Sequence, residues 1–264
     1  MPVLASSVIG AAHQRQDKPC QDASLSCSLE TGRNQLQLMA VADGHGGSRY
    51  WLSQVGSALA CTQARKSVSK VLDQTPLTAI DRWRQILQEE LPAAIHSGWM
   101  DAIRADWRNR QEQEQSFSAL TYGCTLGLVL MAPQWWGCTG IGDWDLAGVE
   151  KGDEVRLLSQ EENLRQVAGE ATASLCRPMS QQLWLARTQL HQLDADDLLH
   201  SLVLSTDGVR KSCATDADYL QLCAGASKLK DSMELSQGLA RITVEGSGDD
   251  VSIAIAVRTQ RLKE

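Results

Sequence analysis

A chain of 264 residues with 43% hydrophobic and 22% charged residues is long enough to bury a full core, as one large domain or two small ones. Its formal net charge of −7 argues against a nucleic-acid binder, which needs a basic face to meet phosphates. A phosphorylated substrate is still allowed, because a bound divalent cation inverts the local field. The eight cysteines contain no Cys-x-x-Cys pair, which sets aside a zinc ribbon and a thioredoxin-type redox site. Met1 to Ala12 has neither a basic leader nor a long apolar stretch and reads as a strand rather than a signal peptide. No apolar run reaches the length of about 18 residues that spans a bilayer. The expectation is a cytoplasmic chain with reduced thiols and no membrane partner.

In chain order, residues 3–12 read as a first strand and Gln14 to Asp22 as a polar loop. Ser24 to Leu29 reads as a second strand, with a hairpin turn over Glu30 to Asn34 that contains Gly32. Leu36 to Ala42 is a strand entering a core, and it stops at Asp43. From Ser48 the period turns helical, with Trp51, Val55, Ala58 or Leu59, and Thr62 on one face. A second helix is expected over Leu77 to Leu91, broken near Pro92. A third carries Ile95, Trp99, Ile103 and Trp107 as one apolar stripe, with an exposed tail from Arg108 to Gln115. Trp51 is expected in the core beside Trp99 and Trp107, and Trp135-Trp136 in the core in preference to an exposed patch.

Strand character returns over Thr121 to Met131 and Gln134 to Ile141, joined at Ala132-Pro133. Leu146 to Glu150 turns through Lys151-Gly152-Asp153 into Val155 to Leu158, a hairpin signal. Residues 159–200 mix helical and irregular signals. Leu202 to Ser205 reads as a short buried strand, Ala217 to Ala240 as mostly helix, and Val251 to Val257 as a final strand. No repeat, low-complexity tract or linker interrupts the chain, so residues 1–264 are expected to form a single domain. The pattern is α+β, with two largely antiparallel sheets and helices outside them.

Four segments share one design, an apolar strand followed by Asp, usually beside Gly. They are Ala42-Asp43-Gly44, Ile141-Gly142-Asp143, Thr206-Asp207-Gly208 and Gly248-Asp249-Asp250. Any one Asp-Gly pair is sufficiently explained as a turn. Four in the same context, one of them inside Asp43-Gly44-His45-Gly46-Gly47, point further. Carboxylates projecting from strand ends suit hard cations such as Mg²⁺ or Mn²⁺. Two such ions orient a water, lower its pKa and stabilise the entering and leaving oxygens of a phosphoryl transfer. Phosphate monoesters hydrolyse so slowly unaided that several electrostatic effects must combine.

In order and spacing, Val41-Ala-Asp-Gly-His-Gly-Gly47, Gly140-Ile-Gly-Asp143, Ser205-Thr-Asp-Gly-Val209 and Gly248-Asp-Asp-Val-Ser252 resemble the metal-dependent, type 2C serine/threonine protein phosphatases. The resemblance runs from about His13 to Val257. It implies a four-layer α-β-β-α sandwich, two or three Mn²⁺ or Mg²⁺ ions, and hydrolysis of phosphoserine and phosphothreonine by a metal-activated water. It also implies a phosphorylated protein substrate and an opposing Ser/Thr kinase. By the same resemblance Asp43 bridges two ions, the Gly44 carbonyl is a further ligand, and Asp207 and Asp249 complete the first ion's shell. Asp143 matches a carboxylate for a weaker third ion, Asp22 an acid of the first motif, and His45 a histidine that protonates the leaving alkoxide.

The sequence departs from the family pattern in two places. Gln21 stands where many members carry an acid, and Arg15, the nearest phosphate clamp, is off its spacing, with Lys18 as the substitute. The usual Gly-Asp-Ser-Arg reads Gly142-Asp143-Trp144-Asp145, a change in either substrate reach or packing. These departures support a rival, a catalytically weak pseudophosphatase kept as a regulatory binding module. A phosphatase of small phosphorylated metabolites is not separable by sequence. Asp194, Asp196 and Asp197 read as a solvated turn, and His96, His191 and His200 have no ligand-like neighbours.

Overall fold

The computed structural model describes residues 3–31, 34–110, 116–159 and 173–258. Among these residues ten strands form two five-stranded sheets. The first has the order β2 (Ala23–Thr31), β3 (Asn34–Ala42), β4 (Leu126–Ala132), β5 (Trp135–Ile141), β8 (Gln189–Gln192). The second runs β1 (Leu4–Val8), β10 (Val251–Val257), β9 (Leu199–Ser205), β6 (Asp145–Glu150), β7 (Val155–Ser159). Every pairing is antiparallel.

The two-residue period of a strand explains why the central strands are apolar on both faces. Along β3, Leu36, Leu38, Ala40 and Ala42 point into a core shared with the helices, whereas Met39 and Val41 point between the sheets. β10 does the same for the second sheet: Ala254 and Ala256 face the inter-sheet core, and Val251, Ile253 and Ile255 face the other helical layer. The result is the expected α+β arrangement of two antiparallel sheets between helices.

On the first sheet lie α2 (Ser53–Leu72) and one long helical run. That run joins α3 (Ile80–Gln85), a π turn over Ile86–Glu90, and α4 (Leu91–Asn109). The helix therefore does not break at Pro92. The proline occupies the first turn of α4, and the wider π turn before it accommodates the ring and the missing N–H. Ile95, Trp99, Ile103 and Trp107 are buried as the stripe predicts. The tail differs, because Arg110 turns back to pair with Asp106 at 2.7 Å, and residues 111–115 lie outside the described residues.

The expected inner face of the helix after Ser48 is corrected. Ser48–Tyr50 is a short 3₁₀ turn, and α2 buries Ser53, Gly56, Ser57, Ala60, Cys61 and Ala64 toward the sheet. Small residues let the helix sit close to the sheet, so apolar bulk did not mark the stripe. Trp51 precedes α2 and is 48% exposed, not core. Trp135 and Trp136 are buried.

Three further elements differ from expectation. The strand expected over 3–12 ends at Val8, and Ala11–Arg15 forms the short helix α1, which also removes Gln14 and Arg15 from the polar loop. The loop before β10 captures this backbone: Gly10 N–H donates to Asp250 Oδ1 at 2.6 Å and Ala12 N–H to Gly248 O at 2.9 Å. Thr121 and Tyr122 belong to a 3₁₀ turn (Ala119–Tyr122) docked on α2, so β4 starts at Leu126. The turn residues 32–33, and residues 160–172 of the mixed stretch, lie outside the described residues. The rest of that stretch holds α5 (Gln181–Leu185) and β8.

After β9 come α6 (Asp207–Lys211), α7 (Asp216–Ala226) and α8 (Ser232–Glu245). The last two divide the expected helical block, capped by Thr215 and Asp231. Both pack on the outer face of the second sheet. Among the described residues no helix is long and apolar enough to cross a membrane. All eight cysteines carry free thiols.

Candidate metal centre

Antiparallel topology gathers the four Asp-bearing strand ends. β3 and β5 both flank β4, so they finish at the same end of the first sheet. β9 finishes where its partner β10 begins. Asp43, Asp143, Asp207 and Asp249 therefore line one cavity of about 290 Å³ with Gly44, His45 and Gly46. One carboxylate oxygen each from Asp43, Asp143 and Asp207 lies within 4.8 Å of the others. Asp249 lines the cavity but stands outside that triplet.

The backbone holds these groups stiffly. Thr125 N–H donates to Asp43 O at 2.8 Å, and Asp43 N–H donates to Thr125 Oγ1 at 3.0 Å. Gly44 bridges to Cys124, and His45 N–H donates to Gly123 O at 3.0 Å. Gly47 has φ of 99°, a conformation open to glycine, and releases the chain into the 3₁₀ turn. At Gly208 any Cβ would meet Asp250 O at 2.1 Å, so glycine there lets α6 and the 248–250 loop close on each other. His45 sets its ring edge-on to Tyr50, with centroids 5.1 Å apart. Burial, aided by Arg177, holds the His45 pKa below its ordinary value.

Like charge accumulates at this end of the sandwich. Burial, then Asp22, Asp207, Asp143 and Asp249, lift the Asp43 carboxyl well above the usual range. Burial and then Asp207 push Asp143 up to about 7. Asp207 is 8% exposed, and its Oδ1 is buried without a hydrogen-bond partner among the described residues. A cluster of carboxylate oxygens with one orphaned acceptor fits a hard divalent cation, which takes oxygen ligands and relieves the mutual repulsion. Asp43, Asp143, Asp207 and the Gly44 main chain are placed to hold it, with Asp249 in the adjoining wall.

The other expected site residues are not all brought into the cavity. Asp22 is buried outside its wall, where Thr206 Oγ1 donates to Asp22 Oδ2 at 2.7 Å; burial, with Asp250 and Asp207 adding, lifts its pKa to about 8 against that bond. Arg15 and Lys18 are exposed on and after α1, and neither lines the cavity. Gln21 does line it, but its amide is committed: Nε2 donates to Ser53 Oγ at 2.6 Å and to His45 O at 3.3 Å.

Three cavity residues had no role in the sequence reading. His13 Nδ1 lies 3.0 Å from Asp250 Oδ2, and the same oxygen accepts from Gln21 N–H at 2.6 Å. Asp250 thus ties the N-terminal loop to the site. Lys211 Nζ lies 2.5 Å from Asp207 Oδ2, a pair whose i,i+4 spacing was visible in the sequence.

Trp144 and Asp145 prove to be packing residues. Trp144 is buried against Gly127 and Gly140, with the guanidinium of the fully buried Arg187 3.8 Å from its ring centroid; Arg187 also donates to the Trp144 carbonyl. Asp145, also buried, pairs with Arg210 at 3.4 Å. Asp197 Oδ1 caps a turn by accepting from Leu199 N–H at 2.8 Å, and His191 stacks on Trp136 at 4.4 Å.

A family model described as protein phosphatase 2C matches residues 9–242. The catalytic domain of the serine threonine protein phosphatase PstP, solved with two manganese ions, is 19% identical with a TM-score of 0.58 over 97% of each chain. Serine/threonine phosphatase Stp1 from Staphylococcus aureus is 14% identical, with a TM-score of 0.59 over 97% of this chain and 94% of that one. PppA, a regulatory component of the type VI secretion system (T6SS) in Pseudomonas aeruginosa, is 18% identical with a TM-score of 0.54 over 96% of each. At such identities the likeness carries the fold alone. No curated protein matches the chain closely enough to count as a relative.

Proposed function

The chain belongs to the protein phosphatase 2C family, and on that premise we propose that it hydrolyses phosphoserine and phosphothreonine in phosphoproteins with the help of bound Mg²⁺ or Mn²⁺. The observation that carries this reading is the triplet of Asp43, Asp143 and Asp207 oxygens within 4.8 Å, with the buried Asp207 Oδ1 lacking a hydrogen-bond partner among the described residues. When bound, divalent ions supply an acidified water and stabilise charge on the phosphoryl oxygens. The chain's own residues do the rest. Asp43, after the end of β3, and Asp207, at the start of α6, would hold the ions. His45, half-buried beside the same cavity, donates a proton to the leaving serine or threonine oxygen once the bound phosphate's negative charge offsets its lowered pKa. His13 and Gln21 hold the N-terminal loop over the site through Asp250. Arg15, exposed and not lining the cavity, would meet a phosphate only from outside its wall.

Residues 1–264 act here as one phosphatase domain, a reading supported by the family match over 9–242. Eight free thiols support a cytoplasmic setting, where the enzyme opposes a Ser/Thr kinase in signalling. A second reading, a catalytically weak module that binds phosphoproteins without turnover, is favoured by the neutral Gln21 in the cavity wall. Hydrolysis of a phosphothreonine peptide tests both. Turnover is expected with Mn²⁺ and lost with EDTA or in Asp207→Asn. Metal-independent turnover overturns the main reading, and no turnover in any condition selects the second.

A further inference from the structure

Lys211 places an ammonium where the carboxylates meet. It stands one turn after Asp207 on α6, lines the same cavity as Asp43, Asp143 and Asp249, and contacts Asp207 Oδ2 at 2.5 Å. Its charge also reaches Asp143, opposing that carboxyl's upward shift. Asp207 therefore presents two unlike oxygens: Oδ2 is occupied by the ammonium, and Oδ1 is buried with no hydrogen bond from the described residues. A divalent ion ligated through Oδ2 would share that oxygen with the half-exposed Lys211 ammonium and stand within a few ångströms of its positive charge. At that separation the two positive charges repel each other. An ion held through Oδ1 does not share its oxygen with the ammonium.

We propose that the Lys211 ammonium is a built-in cation that takes the place of one divalent ion beside Asp143 and Asp207, so that the cavity holds one ion fewer than its carboxylates would otherwise accept. The inference rests on the reading of the cavity as a metal centre. It assigns to Lys211 the neutralising part of a metal's role without the part that activates water, because an ammonium offers donors and no coordination site. Unlike an ion, it is not removed by a chelator.

The test counts ions and does not depend on turnover. Native mass spectrometry gives the number of Mn²⁺ bound and calorimetry their affinities, for the full chain and for Lys211→Arg, Lys211→Met and Lys211→Asp, each checked for folding by circular dichroism. Lys211→Arg keeps the wild-type count. Lys211→Met binds its weakest Mn²⁺ at least about tenfold more tightly than wild type does, because a like charge has been removed. Lys211→Asp takes up one additional ion. Equal counts and affinities across all four proteins, or weaker Mn²⁺ binding in Lys211→Met, overturn the role of the ammonium while leaving the metal centre intact. No Mn²⁺ on any of the four overturns the metal-centre reading itself, and the proposal with it. If Lys211→Asp fails to fold, the neutral Lys211→Met decides the matter alone.

Discussion

Asp143 and Asp145 flank Trp144, and the protein treats their charges in opposite ways. Asp145, at the start of β6, turns to Arg210, whose guanidinium also holds Asp216 at 2.8 Å. Burial lifts Asp145 to about 6 while Arg210 opposes the shift. Asp143 instead joins Asp43 and Asp207 in a cavity where negative charge is in surplus. The same backbone turn thus carries one acid that the fold pairs with its own arginine and one that it sets among other carboxylates. Clustered carboxylates cost the metal-free chain stability, which is a physical reason to assign them to function and Asp145 to structure.

The largest effect that separates the two acids is on turnover. Asp43→Asn should lower Mn²⁺-dependent hydrolysis of a phosphothreonine peptide by about 10³-fold or more, as loss of a major electrostatic element at a reacting centre does. Asp145→Asn should leave it within about threefold if Asp145 acts only through packing. Equal losses in both would erase the distinction. In the metal-free state the sign reverses for Asp43: removing a buried, repelled carboxylate should raise the melting temperature.

Stability sharpens the comparison from the other side. Arg210→Met strands a buried Asp145 carboxylate and should cost about 3 kcal/mol in chemical denaturation. Adding Asp145→Asn should recover most of that loss, because the stranded charge is gone. Neither change should alter the number of Mn²⁺ ions bound. Somewhat smaller again, His45→Ala should reduce turnover of the peptide by about 10²-fold yet spare an aryl phosphate, whose leaving group needs no proton. An equal loss on both substrates would move His45 from acid to positioning residue.

Much of this division was legible in the sequence, for a local reason. A strand buried on both faces reads as a continuous apolar run, and an acid that ends it stands out, as Asp43 does after Leu36 to Ala42. The partners of Asp250 and Asp145 were not legible, because they come from afar. His13 and Asp250 meet across 237 residues, and Arg210 reaches Asp145 across 65. Nearness to a motif misled in one place: α1 turns His13 inward and leaves Arg15 exposed. Hydrophobic periodicity failed where burial did not need bulk. The small residues along α2 are buried, while Trp51, the largest side chain of the expected stripe, is not. Lys211 escaped because α6 is too short to show a period, although its spacing from Asp207 was in plain view.

The smallest predicted effect is a pH dependence confined to the metal-free protein. Asp143 is raised to about 7 and Asp22 to about 8, so between pH 6 and 7 the folded state holds protons that the unfolded state has already released. Stability conferred by a raised acid pKa is complete below the unfolded value, near 4, and is lost as pH climbs through the folded value. Going from pH 6 to 7 should therefore cost the metal-free chain about 2 kcal/mol from these two groups, or on the order of 5 °C in melting temperature, with the raised Asp43 adding in the same direction. Asp145, about half ionised at pH 6 and mostly so at pH 7, adds less than either. Saturating Mn²⁺ favours the ionised carboxylates and should flatten the dependence. A slope that survives in Mn²⁺ would trace the titration to groups the ions do not reach, and one that disappears in Asp145→Asn would trace it to Asp145.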